Sequence, residues 1–243
     1  MKYFIFSDVH GNLEAFESVL ADVGEAGFDF ALSLGDHVGY GANPNECIEI
    51  LTHVLECAAI RGNHDAAALD PSERELFNAD AYAAILHTAR QLNHESRKFL
   101  ENLPLVYYGN DLFIGVHASP YRPDSWGYIL DAWEAAVAFR SMNRPLAFTG
   151  HSHIPCIITE EREVRPLHQG DSVAINLDRK CIINVGSVGQ PRDRDPKAAY
   201  VLFDDEKMSV ELFRVEYDWN KAAQKILQSG LPPALAERIL VGL

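Results

Sequence analysis

Five short apolar runs recur along the chain, and each ends in a polar, glycine-containing or histidine-containing turn. They cover residues 3–6, 30–34, 58–60, 112–116 and 146–148. Between the first three lie segments with helical spacing of apolar positions, residues 13–27 and 44–56, the second of which opens with Pro44. This alternation of strand and helix predicts β-α-β units and an α/β fold with a largely parallel sheet.

The rest of the chain follows other patterns. Residues 66–103 are rich in alanine and predict a helical insertion, and residues 105–116 read as a hairpin around Gly109. After residue 154 the pattern is mostly that of strands, including a hairpin about Asp204, and a helical tail with a Pro232-Pro233 break follows. Because no repeat or linker interrupts the pattern, we expect one domain over residues 1–243.

Composition narrows the class of protein. With 47% hydrophobic and 23% charged residues, the chain is typical of a globular protein, and it has neither an apolar stretch long enough for a membrane span nor a signal-peptide pattern. We therefore expect a cytoplasmic protein that does not bind membranes. The net charge of −14 disfavours general nucleic-acid binding, although a bound cation could still attract a small anionic substrate.

The four cysteines are scattered through apolar stretches without a CxxC pair. They are Cys47, Cys57, Cys156 and Cys181. We expect them to be reduced core residues rather than disulfide partners or metal ligands.

Polar groups that can bind metals or transfer protons collect at the strand ends. The first pair, Asp8 and His10, is two residues apart, so in an extended backbone both side chains face the same way. A turn is the alternative reading of that stretch, because Asp8, Gly11 and Asn12 are all turn formers. However, eight such groups occupy five equivalent strand ends, and they are Asp8, His10, Asp36, Asn63, His64, His117, His151 and His153. Since ligands bind beyond the carboxyl ends of parallel strands, the repetition favours a binding site over turn chemistry.

The donor types indicate which metals would bind. Carboxylates, imidazoles and one amide oxygen suit Mn²⁺, Fe, Ni²⁺, Co²⁺ or Zn²⁺ rather than Ca²⁺. Seven ligands are too many for one such ion that must keep open coordination positions. They suffice for two ions that share a carboxylate, and the ions in such sites are typically about 3.5–4 Å apart. A closed structural zinc site fits this set poorly.

The blocks that carry these groups resemble the five motifs of the calcineurin-like metallophosphoesterase superfamily, DxH, GD, GNH[DE], H and GHxH. The matching segments are "DVHGN", "GDHVGYG", "RGNHD", "GVHASP" and "GHSH". The stretches "GDHVGYGANPNECI" and "INVGSVGQPRD" look most like bacterial members of the diadenosine-tetraphosphatase-like and phosphodiesterase type. The resemblance implies an α/β fold of two packed mixed β-sheets flanked by helices, in four α-β-β-α layers.

The resemblance also implies roles for individual residues. One ion would be held by Asp8, His10 and His153, the other by Asn63, His117 and His151, with Asp36 bridging them and His64 as the catalytic histidine. Two divalent transition-metal ions are implied, with Mn²⁺ favoured over Fe, Ni, Co or Zn.

The implied activity is hydrolysis of phosphate mono- or diesters, with dinucleoside polyphosphates among the candidates. In that chemistry a metal-bound hydroxide attacks phosphorus while His64 assists the leaving group. The substrate would be a small phosphate ester or nucleotide. The alternative is a catalytically silent member of the superfamily that binds or scaffolds.

One departure from the family pattern concerns the histidine. Protein phosphatases of the superfamily carry Asp and Arg after the second block, where this chain has Gly39 and Tyr40. This disfavours protein phosphatase activity and leaves open which group orients His64. Asp65 fits a helix cap better than a catalytic role, and the side chain of His37 should point away from the ions.

Four residues are candidates for substrate binding: Tyr40, Arg61, Arg122 and Arg192. An arginine can bind a phosphate through two hydrogen bonds, but most arginines form surface ion pairs, and a tyrosine can equally well pack. His53, His87, His94 and His168 fall in helical or loop stretches and are expected to be surface residues.

Overall fold

The computed structural model describes residues 1–75, 77–161 and 163–243. Two six-stranded sheets make up its centre. In chain order the strands are β1 (Lys2–Phe6), β2 (Phe30–Ser33), β3 (Ala58–Ala59), β4 (Val106–Gly109), β5 (Phe113–Val116), β6 (Leu146–Thr149), β7 (Cys156–Thr159), β8 (Val164–Pro166), β9 (Ser172–Ala174), β10 (Cys181–Asn184), β11 (Ala198–Asp204) and β12 (Ser209–Val215).

Within the described residues, eight α-helices flank the sheets. They are α1 (Leu13–Ala26), α2 (Pro44–Glu49), α3 (Asn63–Leu69), α4 (Ala79–Gln91), α5 (His94–Glu101), α6 (Ala132–Ser141), α7 (Trp219–Gln228) and α8 (Pro233–Val241). A π-helical turn, Ile50–Val54, follows α2, and short 3₁₀ turns cover Pro71–Arg74 and Pro123–Ser125. No helix in the described ranges is both long and apolar enough to cross a bilayer.

Each sheet is mixed, with two parallel and three antiparallel strand pairings. The first has the order β3-β2-β1-β11-β12-β9, in which β3, β2 and β1 are parallel and the other pairings are antiparallel. The second has the order β4-β5-β6-β10-β7-β8, with β5, β6 and β10 parallel. The fold of two mixed sheets flanked by helices is thus confirmed, whereas the expectation of a largely parallel sheet is wrong, because β11 and β7 add antiparallel neighbours to the parallel strands.

The core explains how the layers pack. Along β1, Tyr3 and Ile5 face the second sheet, whereas Phe4 and Phe6 belong to the cluster beneath helices α1, α7 and α8. This alternation is the period of two expected of a strand that is buried on both faces. On the outer face of the second sheet, Ile114 and Ile182 pack with Phe139 of α6.

Several elements differ from the sequence prediction. The helix expected over 44–56 is α2 followed by the π-helical turn, and the strand expected at 58–60 is reduced to two residues. Helix α6 and strand β8 were not predicted. The expected helical segment 66–103 contains α4, α5 and most of α3. All four cysteines are free, and burial raises the pKa of Cys57 to about 12.

Candidate metal centre

The candidate ligands occupy an unusual backbone conformation. Five of them have a positive φ: Asp8 at 56°, His10 at 50°, Asp36 at 54°, His151 at 66° and His153 at 61°. For residues other than glycine this left-handed region is sparsely populated, and each such residue costs on the order of 1 kcal/mol or more. The rest of the fold stabilises this strain at the ends of β1, β2 and β6, which indicates a functional site.

One group of donors comes from the loops after β1 and β6. Asp8 Oδ1 lies 3.1 Å from His153 Nε2 and 3.6 Å from His10 Nε2. The two imidazole Nε2 atoms are 3.2 Å apart. All three side chains are buried, so three candidate ligand atoms face one another in a space closed to solvent.

A second group shares Asp36 with the first. Asp36 Oδ2 lies 3.6 Å from His10 Nε2 on one side and 3.4 Å from His117 Nε2 on the other. The Nε2 atom of His117 is also 3.1 Å from Asn63 Oδ1 and 3.2 Å from His151 Nδ1. Asp36 therefore stands between two sets of donors, where a carboxylate could bridge two ions.

Backbone carbonyl groups fix the imidazole rings from behind. The Nδ1 atoms of His10, His117 and His153 lie 3.0 Å from Val38 O, 2.8 Å from Leu34 O and 2.5 Å from Gln190 O, respectively. A ring that donates its Nδ1–H to a carbonyl presents a lone pair on Nε2. Three imidazoles are thereby held in the tautomer that binds a metal.

The outer oxygens of the two carboxylates are held in the same way. The backbone N–H of His151 donates to Asp8 Oδ2 at 3.0 Å, and that of His64 donates to Asp36 Oδ1 at 2.8 Å. Each carboxylate thus has one oxygen fixed by the backbone and the other aimed at imidazoles.

Asp65 organises the loop that carries Asp36. Its buried carboxylate accepts the backbone N–H groups of Asp36, His37 and Gly62 at 2.9–3.0 Å, and it lies 2.9 Å from His37 Nδ1. The prediction that Asp65 caps the next helix is confirmed, since its carboxylate accepts the backbone N–H of Gly62, the residue before α3. His37 is fully buried, and its Nε2 atom faces Ser33 Oγ rather than the donors of the centre.

The residues present fit a metal. In the described part of the chain, the buried atoms Asp8 Oδ1 and His151 Nε2 have no partner in hydrogen-bonding geometry. Buried polar atoms are rarely left unpaired, and their presence here points to an absent ligand. The donors are oxygen and nitrogen without thiolate, as first-row divalent ions accept.

The electrostatics of the centre are those of a cation site. Burial opposes a charge on His117, but the negative charge of Asp36 outweighs burial and raises the pKa of His117 to about 9. Burial, reinforced by the positive charge of Arg192, lowers the pKa of His153 to about 3. Burial also holds the pKa of His151 well below its usual value. Next to Asp36, the His117 imidazole therefore holds a proton that a bound metal ion could displace.

His64 sits at the edge of the donor groups without a carboxylate partner. One of its ring nitrogens lies within 4.8 Å of ligand atoms of His10 and Asp36. Its ring packs against Tyr40 at 4.5 Å and Phe77 at 4.8 Å between centroids, and its Nδ1 atom has no hydrogen-bond partner among the described residues. Aromatic packing thus orients His64, and burial holds its pKa well below the usual value.

The four candidate substrate residues separate into two pairs. The Arg192 guanidinium donates from Nη2 to Tyr40 Oη at 3.2 Å and lies over the Tyr40 ring, which packs 4.6 Å from His10. Both are therefore at the centre. Arg61 instead donates to the carbonyl of Glu101 at 2.8 Å and to that of Leu100, at the end of α5, so its expected phosphate contact is not supported.

Arg122 is likewise not brought to the donors. It is exposed, and its guanidinium lies over the ring of Tyr121. Of the histidines expected at the surface, His53, His94 and His168 are exposed, whereas His87 is partly buried, and burial lowers its pKa.

Two aromatic residues that were not predicted as site residues lie beside the ligands. The Tyr128 ring stacks on His151 with centroids 4.0 Å apart, and the Trp126 ring meets His117 edge-on at 6.1 Å. Both lie in the loop between β5 and α6. The run of aromatic residues in "YRPDSWGYILDAW" was the available signal, because that loop follows β5, the strand that ends just before His117.

Known proteins share this architecture. A family model described as the calcineurin-like phosphoesterase superfamily domain matches residues 1–208. An uncharacterised protein of Methanocaldococcus jannaschii is 42% identical over 241 residues, which are 98% of this chain and 97% of that protein. The crystal structure of a metallophosphoesterase from Sphaerobacter thermophilus is 37% identical, with a TM-score of 0.90 over 100% of this chain and 99% of its own.

A more distant structure agrees in fold alone. The crystal structure of a putative diadenosine tetraphosphatase has a TM-score of 0.56 at 16% identity, over 88% of this chain and 94% of its own. The match of the family model over most of the chain confirms the resemblance found in the five sequence blocks. This chain belongs to the calcineurin-like phosphoesterase superfamily.

Proposed function

We propose that the protein is a phosphohydrolase that depends on two divalent transition-metal ions and cleaves phosphate mono- or diesters, with dinucleoside polyphosphates among its candidate substrates. Mn²⁺ is the favoured ion. The main support for this proposal is the position of Asp36. Its Oδ2 atom lies 3.6 Å from His10 Nε2 and 3.4 Å from His117 Nε2. Two sets of donors that share one carboxylate are what a two-ion phosphoesterase requires.

The same distances support the ligand sets that the family resemblance implies. Asp8, His10 and His153 would hold one ion, and Asn63, His117 and His151 the other. When bound, the ions supply Lewis acidity toward phosphoryl oxygens and lower the pKa of coordinated water. The chain supplies the buried frame, in which carbonyl groups and backbone N–H groups orient the donors.

His64 is the proposed acid for the leaving group. In the substrate-free protein its ring is neutral, because burial lowers its pKa. A phosphate anion bound beside the ring would raise that pKa, so the ring could hold a proton and transfer it to the departing oxygen. The packing against Tyr40 and Phe77 would keep the ring in place during this transfer.

Arg192 is the proposed phosphate contact. It is the arginine whose guanidinium lies beside the centre, and its partner Tyr40 Oη holds it there at 3.2 Å. A guanidinium at this position could pair with phosphoryl oxygens that the ions leave free.

The experiment is an activity screen on the full chain with defined metal content. The protein is stripped with a chelator, reloaded with Mn²⁺, Co²⁺, Ni²⁺ or Zn²⁺, and assayed on 4-nitrophenyl phosphate, bis(4-nitrophenyl) phosphate and diadenosine tetraphosphate. We expect hydrolysis only after reloading. His64→Ala should lower kcat by about a hundredfold to ten-thousandfold without loss of bound metal, whereas His53→Ala, an exposed histidine on the π-helical turn, should match the wild type.

Two outcomes would contradict the proposal. If the metal-loaded protein hydrolyses none of the esters, it is not a phosphohydrolase of this class. If wild type and His64→Ala bind metal equally and are equally inactive, the alternative of a silent binding or scaffolding member is favoured.

A further inference from the structure

Aromatic rings border the metal centre on the side of the second donor set. The loop between β5 and α6, here called the aromatic loop (residues 121–130), places Trp126 against His117 and Tyr128 against His151. Two hydrogen bonds anchor the loop, one at Trp126 and one after Tyr128. Trp126 Nε1 donates to Glu73 Oε2 at 3.1 Å, and the N–H of Leu130 donates to Glu134 Oε2 at 2.6 Å.

Tyr128 combines close packing with exposure. One face of its ring covers the buried imidazole of His151 at 4.0 Å, with 27° between the ring planes, yet 44% of the residue remains exposed. A ring that only held His151 in place would be buried in the same way as Tyr40, which is 6% exposed. The exposed part of Tyr128 therefore lies next to the metal centre.

Other large apolar side chains of the same stretch of chain are also exposed. Tyr121 is 43% exposed, Leu130 63% and Trp133, at the start of α6, 73%. Several exposed apolar side chains in a segment that contacts the candidate metal centre favour a binding role for that segment. Their aromatic character suits a planar partner, because stacked rings gain energy beyond burial alone.

Arg192 and Tyr128 lie beside different donor sets of the same centre. The Arg192 guanidinium donates to Tyr40, whose ring packs on His10 of the first donor set, whereas Tyr128 packs on His151 of the second. A phosphate that spans the two donor sets and meets Arg192 would have its organic substituent on the side of Tyr128.

We propose that the aromatic loop is a substrate subsite that stacks on a planar aromatic substituent of the phosphate ester, with Tyr128 as the platform. The chemistry is shared by nucleobases and by simple aryl groups. This inference rests on the proposed phosphohydrolase activity and names the class of ester that the site selects.

The test compares pairs of esters that differ only in the planar group. The first pair is adenosine 5′-monophosphate and ribose 5-phosphate, and the second pair is the methyl diesters of these two compounds. The third pair is benzyl phosphate and cyclohexylmethyl phosphate. Within each pair the ester oxygen is a primary alkoxide, so leaving-group chemistry is closely matched. The readout is the ratio of kcat/KM within a pair, measured on the Mn²⁺-loaded full chain.

Three variants separate stacking from a structural role. Tyr128→Leu removes the ring, Tyr128→Phe keeps it, and Tyr108→Leu changes a tyrosine of β4 that is 58% exposed and outside the loop. We expect wild type to favour the aromatic member by about tenfold, since base stacking is worth about that much or more. Tyr128→Leu should abolish most of that ratio through KM, whereas Tyr128→Phe and Tyr108→Leu should retain it.

The outcomes distinguish a nucleobase from other planar aromatic groups. They also distinguish failure of the subsite proposal from failure of the proposed phosphohydrolase activity. Selectivity in the nucleoside pairs alone assigns a nucleobase, and selectivity in the benzyl pair as well assigns any planar aromatic group. Hydrolysis without selectivity, or selectivity that survives Tyr128→Leu, overturns the subsite and leaves the phosphohydrolase intact. Absence of hydrolysis in the metal-loaded protein overturns both. Bound metal and thermal midpoint are measured for each variant, and a Tyr128→Leu protein that loses metal instead of selectivity also overturns the subsite.

Discussion

Replacing Gly62 with alanine should disable the metal centre without placing any new group among the ligands. Gly62 precedes Asn63 and has φ −102° and ψ 174°, a conformation that any residue adopts, so Gly62→Ala carries no backbone penalty. Its added Cβ would lie 2.1 Å from Asp36 Oδ1 and 2.4 Å from Asp36 N. The effect of the variant is therefore a purely steric one on Asp36.

The size of the displacement can be worked out from these distances. A Cβ contact under 3.0 Å is essentially never seen, so the Asp36 carboxylate or the Gly62 backbone must shift by at least 3.0 − 2.1 = 0.9 Å. Metal–ligand distances tolerate about 0.2 Å. We expect metal affinity to fall by about a hundredfold or more, as for disrupted ligand positioning. Overpacking should also cost about 1–3 kcal/mol of unfolding free energy, which corresponds to a fall of roughly 3–10 °C in Tm.

Isothermal titration with Mn²⁺ and differential scanning calorimetry measure the two effects. The matched control is Gly24→Ala in helix α1, where the added Cβ would meet no atom within 4 Å. Because alanine is the better helix former, this control should bind metal normally and be more stable by up to about 1 kcal/mol. If Gly62→Ala binds Mn²⁺ with wild-type affinity and stoichiometry, Asp36 is not the shared ligand.

Three further predictions concern protons and hydrogen bonds. Asp65→Asn should lower the free energy of unfolding by about 3 kcal/mol, because an amide NH₂ would face backbone N–H groups that now donate to the carboxylate. Urea unfolding measures this change, and unchanged stability would contradict the prediction. Metal binding at pH 7.5 should release about one proton, because the pKa of His117 is raised to about 9. Calorimetry in two buffers of different ionisation enthalpy should detect the released proton. A binding enthalpy that does not depend on the buffer would refute this prediction. The metal-free protein should lose stability as pH falls below about 6.5. Its free energy of unfolding should fall by roughly 1.4 kcal/mol per pH unit for each histidine that stays neutral when folded. Urea unfolding at pH 7 and 5.5 tests this trend, and a higher stability at pH 5.5 would contradict it. Those histidines are His64, His151 and His153, whose pKa values burial lowers.

The pH profile has an opposite limb on the alkaline side. The pKa of His117 is raised in the folded protein, so its contribution to stability is fully present below about pH 6.5 and is lost as pH rises toward 9. The metal-free protein should therefore be most stable near pH 6.5. Urea unfolding at pH 6.5, 8 and 9 measures this limb, and increasing stability over that range would contradict it.

Local patterns predicted the parallel half of each sheet but not the way the sheets are completed. The apolar runs and the helical segments between them identified β1, β2, β5 and β6. However, β1 pairs in antiparallel fashion with β11, some two hundred residues later in the chain, and no local pattern specifies such a partner. Helix α6 was missed because its apolar face is short, although Asp131 is a recognisable cap before it.

The candidate site was partly predictable for a similar reason. The spacing of short motifs identified the donors, since each motif lies at a strand end and the fold brings strand ends together. The roles of arginines could not be predicted, because Arg61 and Arg192 are both loop residues in glycine-containing blocks, and only tertiary packing directs one to the end of α5 and the other to Tyr40. Likewise, the helix cap at Asp65 was predictable, whereas its hydrogen bonds to the Asp36 loop depend on two distant strands meeting.

Anomalous diffraction from crystals of the Mn²⁺-loaded protein would show whether two ions flank Asp36. We expect two anomalous peaks about 3.5–4 Å apart on either side of the Asp36 carboxylate, one beside His153 and the other beside Asn63. A single peak, peaks elsewhere in the molecule, or no peak in crystals shown by elemental analysis to contain manganese would contradict it.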